Sequence, residues 1–98
     1  MRRAALVDGN QREIIAAFES AGCRVISTKA IGNGCADLIV YEPRSRRFGL
    51  VENKLPNGKL RPSQMVFMRL FPVSVCRGPA DVPAIVRHIA AGTVPPPA

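Results

Sequence analysis

The chain has 98 residues, enough for one domain with one modest core. Fourteen Lys and Arg against seven Asp and Glu give a net charge of +7 and a pI of about 10.4, which favours a polyanionic partner, nucleic acid ahead of an anionic membrane. Aromatic residues make up 5% and Trp is absent, which argues against a stacking platform for single-stranded bases. The three cysteines, Cys23, Cys35 and Cys76, form no CxxC pair, which excludes zinc-knuckle, thioredoxin-like and disulfide-framework readings and leaves reduced core thiols in a cytosolic protein.

At the N-terminus, Met1-Arg2-Arg3 precedes only a short apolar run, Ala4 to Val7, too short for a signal-peptide core or a membrane span. Asp8-Gly9-Asn10-Gln11 resembles a helix start, with Asp8 as cap and Gln11 completing a capping box. Ile14, Ile15, Phe18 and Ala21 then recur at helical spacing, and Gly22 is the expected stop. Glu13 and Glu19 lie off that stripe. Cys23 to Ser27 reads as a short strand. Thr28 to Asn33 is a loop, and Gly32-Asn33-Gly34 is either a turn or a close backbone approach to phosphate.

From Gly34 to Lys54, two β-rich runs flank the turn Pro43-Arg44-Ser45-Arg46 and read as a hairpin. A symmetric turn centred on Arg44 and Ser45 sets Asp37 opposite Glu52, with Cβ atoms ~4.5–5.5 Å apart. Two like charges at that distance repel by about 3 kcal/mol at an effective dielectric of about 20. A shared proton, a neighbouring cation or a bound metal must offset this. The period of two puts Lys54 on the same strand face as Glu52. Mg²⁺ takes one or two carboxylates plus water and substrate phosphate, and a nearby ammonium orients water and stabilises charge developing on phosphorus. The pattern therefore suits metal-assisted phosphodiester hydrolysis. An odd-length turn would separate the two acids onto opposite faces. Arg44, Arg46 and Arg47 form a basic tip, read either as a DNA-backbone contact or as solubilising charge.

Beyond Lys54 comes a polar turn carrying Lys59 and Arg61. Pro62 suits the first turn of a helix that continues through Gln64, Val66, Phe67, Leu70 and Phe71. Gln64 in that first turn has a bland alternative as a surface residue. Val73 to Cys76 is a fourth strand. Asp81-Val82-Pro83 opens a last helix with Ile85, Val86 and Ile89 as its buried stripe. The single His88 removes His-based triads from contention. Residues 1–92 form the domain, and 93–98, ending Pro95-Pro96-Pro97-Ala98, form a flexible tail. The element order describes an α/β domain with a mixed central sheet flanked by helices.

Asp37 followed by Glu52-Asn53-Lys54 resembles the PD-(D/E)XK nuclease signature. The fifteen-residue step from Asp37 to Glu52, the glycine approach, and Leu60-Arg61-Pro62-Ser63-Gln64 leading into a helix make the match closer to the VRR-NUC branch, in its short phage or bacterial form. The resemblance covers roughly Asp8 to Ile89. It implies a restriction-endonuclease-like core and a deoxyribonuclease that uses Mg²⁺ or Mn²⁺. The metal would be held by Asp37, Glu52 and the backbone carbonyl of Asn53, with Lys54 activating water and Gln64 supporting the site. It further implies branched or Holliday-junction DNA as substrate, a role in DNA repair, a homodimer, and a bacterial or phage-infected host cytoplasm. Lys59 and Arg61 join the hairpin-tip arginines as expected DNA contacts. Ala36 stands where the family usually has proline. Many members carry a metal-binding acid on the first helix, for which Glu13 is the expectation here and Asp8 the alternative. The competing reading is the same fold kept as an inactive DNA- or protein-binding module. A basic RNA-binding domain is disfavoured by the shortage of aromatics and the absence of a GxxG clamp.

Overall fold

A computed structural model describes residues 10–96. In chain order the elements are α1 (Gln11–Ser20), β1 (Arg24–Ser27), a 3₁₀ turn (Lys29–Ile31), β2 (Leu38–Glu42), β3 (Arg47–Asn53), α2 (Pro62–Leu70), β4 (Val73–Cys76), a second 3₁₀ turn (Pro79–Asp81) and α3 (Val82–Ala91). The strands form one sheet in the order β1-β2-β3-β4. The first two pairings are antiparallel and the third is parallel. The parallel pair needs a crossover, and α2 supplies it.

The hairpin has the symmetric register. Leu38 pairs with Val51 and Glu42 with Arg47, so four residues, 43–46, close an even-length loop. Glu42 fixes that length. Its carboxylate accepts the N–H groups of Ser45 at 2.8 Å and Arg44 at 3.2 Å, and its carbonyl accepts that of Arg46 at 2.9 Å. The hydrogen bonds from Ser45, then the one from Arg44, hold the Glu42 carboxyl below its usual range. Arg46 takes the left-handed conformation at φ 60°.

One sheet face carries the core. Leu38, Val40, Val51 and Cys76 meet Ile14 and Phe18 from α1 and Val82, Ile85 and Ile89 from α3, all buried. Any side chain at Gly49 would collide with Ile89, because a Cβ there would lie 2.5 Å from its Cγ1. Cys23 and Cys76 are free, buried thiols whose pKa burial raises, and Cys35 is half-buried. At the end of α3, Gly92 at φ 74° and the Thr93 N–H on the His88 carbonyl at 2.9 Å form a Schellman-type stop. His88 also bonds the Thr93 hydroxyl at 2.8 Å.

On the opposite face, α2 reaches the sheet through Gln64, which bonds Glu52. Gly32, Asn33 and Gly34 all have positive φ, and a Cβ on Gly34 would lie 2.5 Å from the Ser63 carbonyl oxygen. Gly34 therefore serves the close approach of a loop to the first turn of α2. Cover on this face is incomplete. Phe48 is 65% exposed and Leu70 72%, while Ile26, Met65, Val66 and Phe71 are exposed as well.

The first helix begins later than its sequence suggests. Asn10, not Asp8, sits at the N-cap, and its side chain makes no capping bond. It donates instead to the Lys54 carbonyl at 2.9 Å and the Arg77 carbonyl at 3.4 Å. With Asn10 at the N-cap, Gln11 is the first helical residue rather than the third, and its side-chain oxygen accepts from the Asn53 amide at 3.2 Å. Asp8 lies outside the described residues. Among the described residues, no helix is long and apolar enough to cross a membrane.

Candidate active site

Carrying the β2–β3 ladder one pair beyond Leu38 and Val51 sets Asp37 opposite Glu52, on the face that α2 covers. Both are buried, at 8% and 3% exposure. Asp37 accepts the Asn53 backbone N–H through Oδ2 at 2.9 Å. Glu52 accepts the Gln64 amide through Oε2 at 2.7 Å, and Gln64 in turn accepts the Arg61 N–H at 2.8 Å. Gln64 is 4% exposed, so it is a buried link between the start of α2 and Glu52. The surface reading of this residue is overturned.

Burial is the largest cause that pushes the Glu52 carboxyl up to about 7, followed by the charge of Asp37 and a hydrogen bond with it. Lys54 and Lys29 pull it back. The Lys29 ammonium lies 3.8 Å from Asp37 Oδ1. The acids sit in an open cavity of about 310 Å³ whose lining includes Lys29, Lys54, Lys59 and Arg61, with Asn10, Gln11, Asn53 and Gln64 among the polar remainder. Negative charge paired in the lining suits a cation, and the surrounding positive charge suits a phosphate backbone.

The donor set fits a hard divalent ion. It offers two apposed carboxylates, all-oxygen and mutually repelling, and Mg²⁺ needs only one or two carboxylates when water and substrate phosphate complete its shell. Among the described residues, no group of three acidic, His or Cys side chains capable of holding a metal is present. Glu13 is exposed on α1 and does not line the cavity. The helix presents Asn10 and Gln11 there instead. The Asn53 side-chain oxygen is buried without a hydrogen-bond partner.

Not every basic residue singled out in the sequence reaches this cavity. Lys59 and Arg61 line it. Arg44, Arg46 and Arg47 sit at or beside the hairpin turn, at the other end of β2 from Asp37, a span of ~17 Å at ~3.4 Å per residue. Two residues that sequence reasoning missed take part. Lys29 carried no periodic signal and is placed by loop geometry. Arg77 follows β4, and its guanidinium donates to the carbonyls of Leu55, Pro56 and Gly58 at 3.0, 3.4 and 2.7 Å. It clamps the loop that leads from Lys54 to Lys59 and Arg61.

The raised Glu52 pKa makes stability depend on pH in a stated direction. Without metal, the folded protein keeps this proton up to about pH 7, whereas the unfolded chain releases it near the ordinary value of 4.5. Its contribution is full below about pH 4.5 and is lost as pH rises to about 7, by about 1–2 kcal/mol after solvent screening. Thermal unfolding in EDTA is expected to show this decline, and Glu52→Gln is expected to flatten it.

The VRR-NUC domain family model matches residues 26–82, a span that runs from β1 through the site to the start of α3. A solved structure described as a VRR_NUC domain is similar at a TM-score of 0.59 and 28% identity, covering 80% of this chain and 90% of that one. Comparison with curated proteins gives no match. The chain belongs to the VRR-NUC family, nuclease-type domains of the PD-(D/E)XK-like class.

Proposed function

We propose that this protein is a Mg²⁺- or Mn²⁺-dependent endonuclease that hydrolyses phosphodiester bonds in branched or junction DNA. One observation carries the reading: within a VRR-NUC domain, Asp37 faces Glu52 in a cavity that Lys54 also lines. Asp37, Glu52 and the backbone carbonyl of Asn53 would hold the ion, which supplies charge stabilisation at a phosphoryl oxygen and eases deprotonation of water. Gln64 fixes Glu52 through Oε2 and leaves Oε1 for that role. Lys54 orients the attacking water with its ammonium and offsets charge developing on phosphorus. The water oxygen forms the new bond to phosphorus as the bond to the 3′ oxygen breaks; the water's proton passes to solvent, and the departing 3′ oxygen takes a proton from solvent. Lys59 and Arg61 contact phosphates beside the scissile one, while Arg44, Arg46 and Arg47 contact a more distant stretch of the same backbone.

Cutting two strands of a junction calls for two centres, so the proposal includes a homodimer. The exposed apolar side chains of Phe48, Val66 and Leu70 support it, since an apolar contact lets two chains of net charge +7 associate despite that charge. Sedimentation equilibrium is expected to give the mass of two chains, reduced to one by Leu70→Glu. A wild-type monomer at tens of micromolar would remove the dimer from the proposal.

The activity itself is tested with end-labelled four-way junction, flap and linear duplex DNA in Mg²⁺, Mn²⁺ or EDTA. Metal-dependent cutting, greatest on branched DNA and reduced roughly a hundredfold or more by Asp37→Ala or Lys54→Ala, is the expected outcome. Tight binding of the junction without cutting in either metal would instead identify an inactive binding module.

A further inference from the structure

We infer, on the DNA-binding reading above, that Arg77 is a positioning residue for the substrate backbone: its guanidinium fixes the loop that presents Lys59 and Arg61 to phosphates. The loop runs from Lys54 to Arg61 and is fastened at both ends. Lys54 donates its N–H to the Cys76 carbonyl at 2.9 Å, and its own carbonyl accepts from Asn10 at 2.9 Å. At the far end, the Arg61 N–H bonds the Gln64 side chain at 2.8 Å. Between these points Leu55, Pro56 and Asn57 are exposed. The Gly58 N–H closes a turn on the Leu55 carbonyl at 2.9 Å. A stretch that buries so little gains little order from packing.

Arg77 supplies the missing restraint. Its Nη1 donates to the carbonyls of Leu55 at 3.0 Å, Pro56 at 3.4 Å and Gly58 at 2.7 Å. Hydrogen bonds from a charged donor are the stronger kind. The residue is itself held where it leaves β4. Its N–H donates to Asp81 Oδ2 at 2.8 Å, and its carbonyl accepts from Asn10 at 3.4 Å. Arg77 thus ties the loop to the start of α1 and to the turn before α3.

Both ends of the clamped turn lead to cations. A Cβ on Gly58 would lie 3.5 Å from Lys54 Cδ, so the turn rests against the Lys54 stem. Lys59 follows Gly58 directly, and Lys59 and Arg61 line the cavity that holds the carboxylates, whereas Arg77 stands outside that lining. Cations held in place before DNA arrives neutralise phosphates without a further ordering cost. The contribution of Arg77 depends on reach as well as charge. A lysine at this position keeps the positive charge, but its nitrogen stops one atom short of Nη1 and cannot span the three carbonyls.

The test is the anisotropy of a labelled four-way junction in EDTA, with the whole chain, in wild type, Arg77→Lys, and both forms carrying Lys59→Ala with Arg61→Ala. Arg77→Lys is expected to weaken binding about five- to tenfold although net charge is unchanged. In the Lys59→Ala, Arg61→Ala background the same change is expected to cost less than about twofold. Wild-type affinity in Arg77→Lys overturns the inference. An equal loss in both backgrounds also overturns it, because Arg77 would then act without Lys59 and Arg61. Pro56→Gly loosens the same turn without touching Arg77 and is expected to weaken binding about threefold. Unchanged affinity there overturns the inference even where Arg77→Lys fails to fold. Absence of junction binding by the wild type overturns the DNA-binding reading itself.

Discussion

The rest of the structure depends on the repulsion between two carboxylates held face to face by an even-length hairpin. Asp37 and Glu52 oppose each other only because four residues close the turn, and the turn has four residues because Glu42 receives the Ser45 and Arg44 amides. A one-residue slip would send one acid into the core face. Leu38 and Val51, buried against α1 and α3, resist that slip, since it would also carry them out of the core. The same packing that stabilises the domain therefore holds the unfavourable pair in register.

Every neighbour of the pair relieves its strain in a different way. The Asn53 N–H and the Gln64 amide supply hydrogen bonds. Lys29 and Lys54 supply charge. The proton that Glu52 retains up to about pH 7 supplies the rest. On the proposed reading, a divalent ion would do the work of that proton. In a basic chain with seven acids, burying two of them opposite each other has no structural benefit of its own.

Much of this was legible in the sequence because the period of a strand is strict. Alternation in the two β-rich runs, together with an even turn, sufficed to bring Asp37 and Glu52 together and to put Lys54 on their side. The α2 start was legible from Pro62, and Gln64 followed from it. What failed was whatever depends on contacts distant in the chain. Asp8 and Gln11 resemble a helix cap, yet Asn10 takes the N-cap position, and Asn10 and Gln11 spend their side chains on Lys54, Arg77 and Asn53, more than 40 residues away. Glu13 faces solvent because the buried stripe through Ile14 and Phe18 turns the adjacent position outward. Lys29 and Arg77 had no local signature, since one acts from a 3₁₀ turn and the other through three carbonyls of a remote loop. Gly34 signalled a close approach correctly in kind, but its partner is the backbone of Ser63.

The most direct test of the central claim is a crystal of this protein soaked in Mn²⁺ and measured for anomalous scattering. A peak about 2.1 Å from one carboxylate oxygen each of Asp37 and Glu52 is the result the account predicts. Ordered acids with no peak between them at high Mn²⁺ would contradict it.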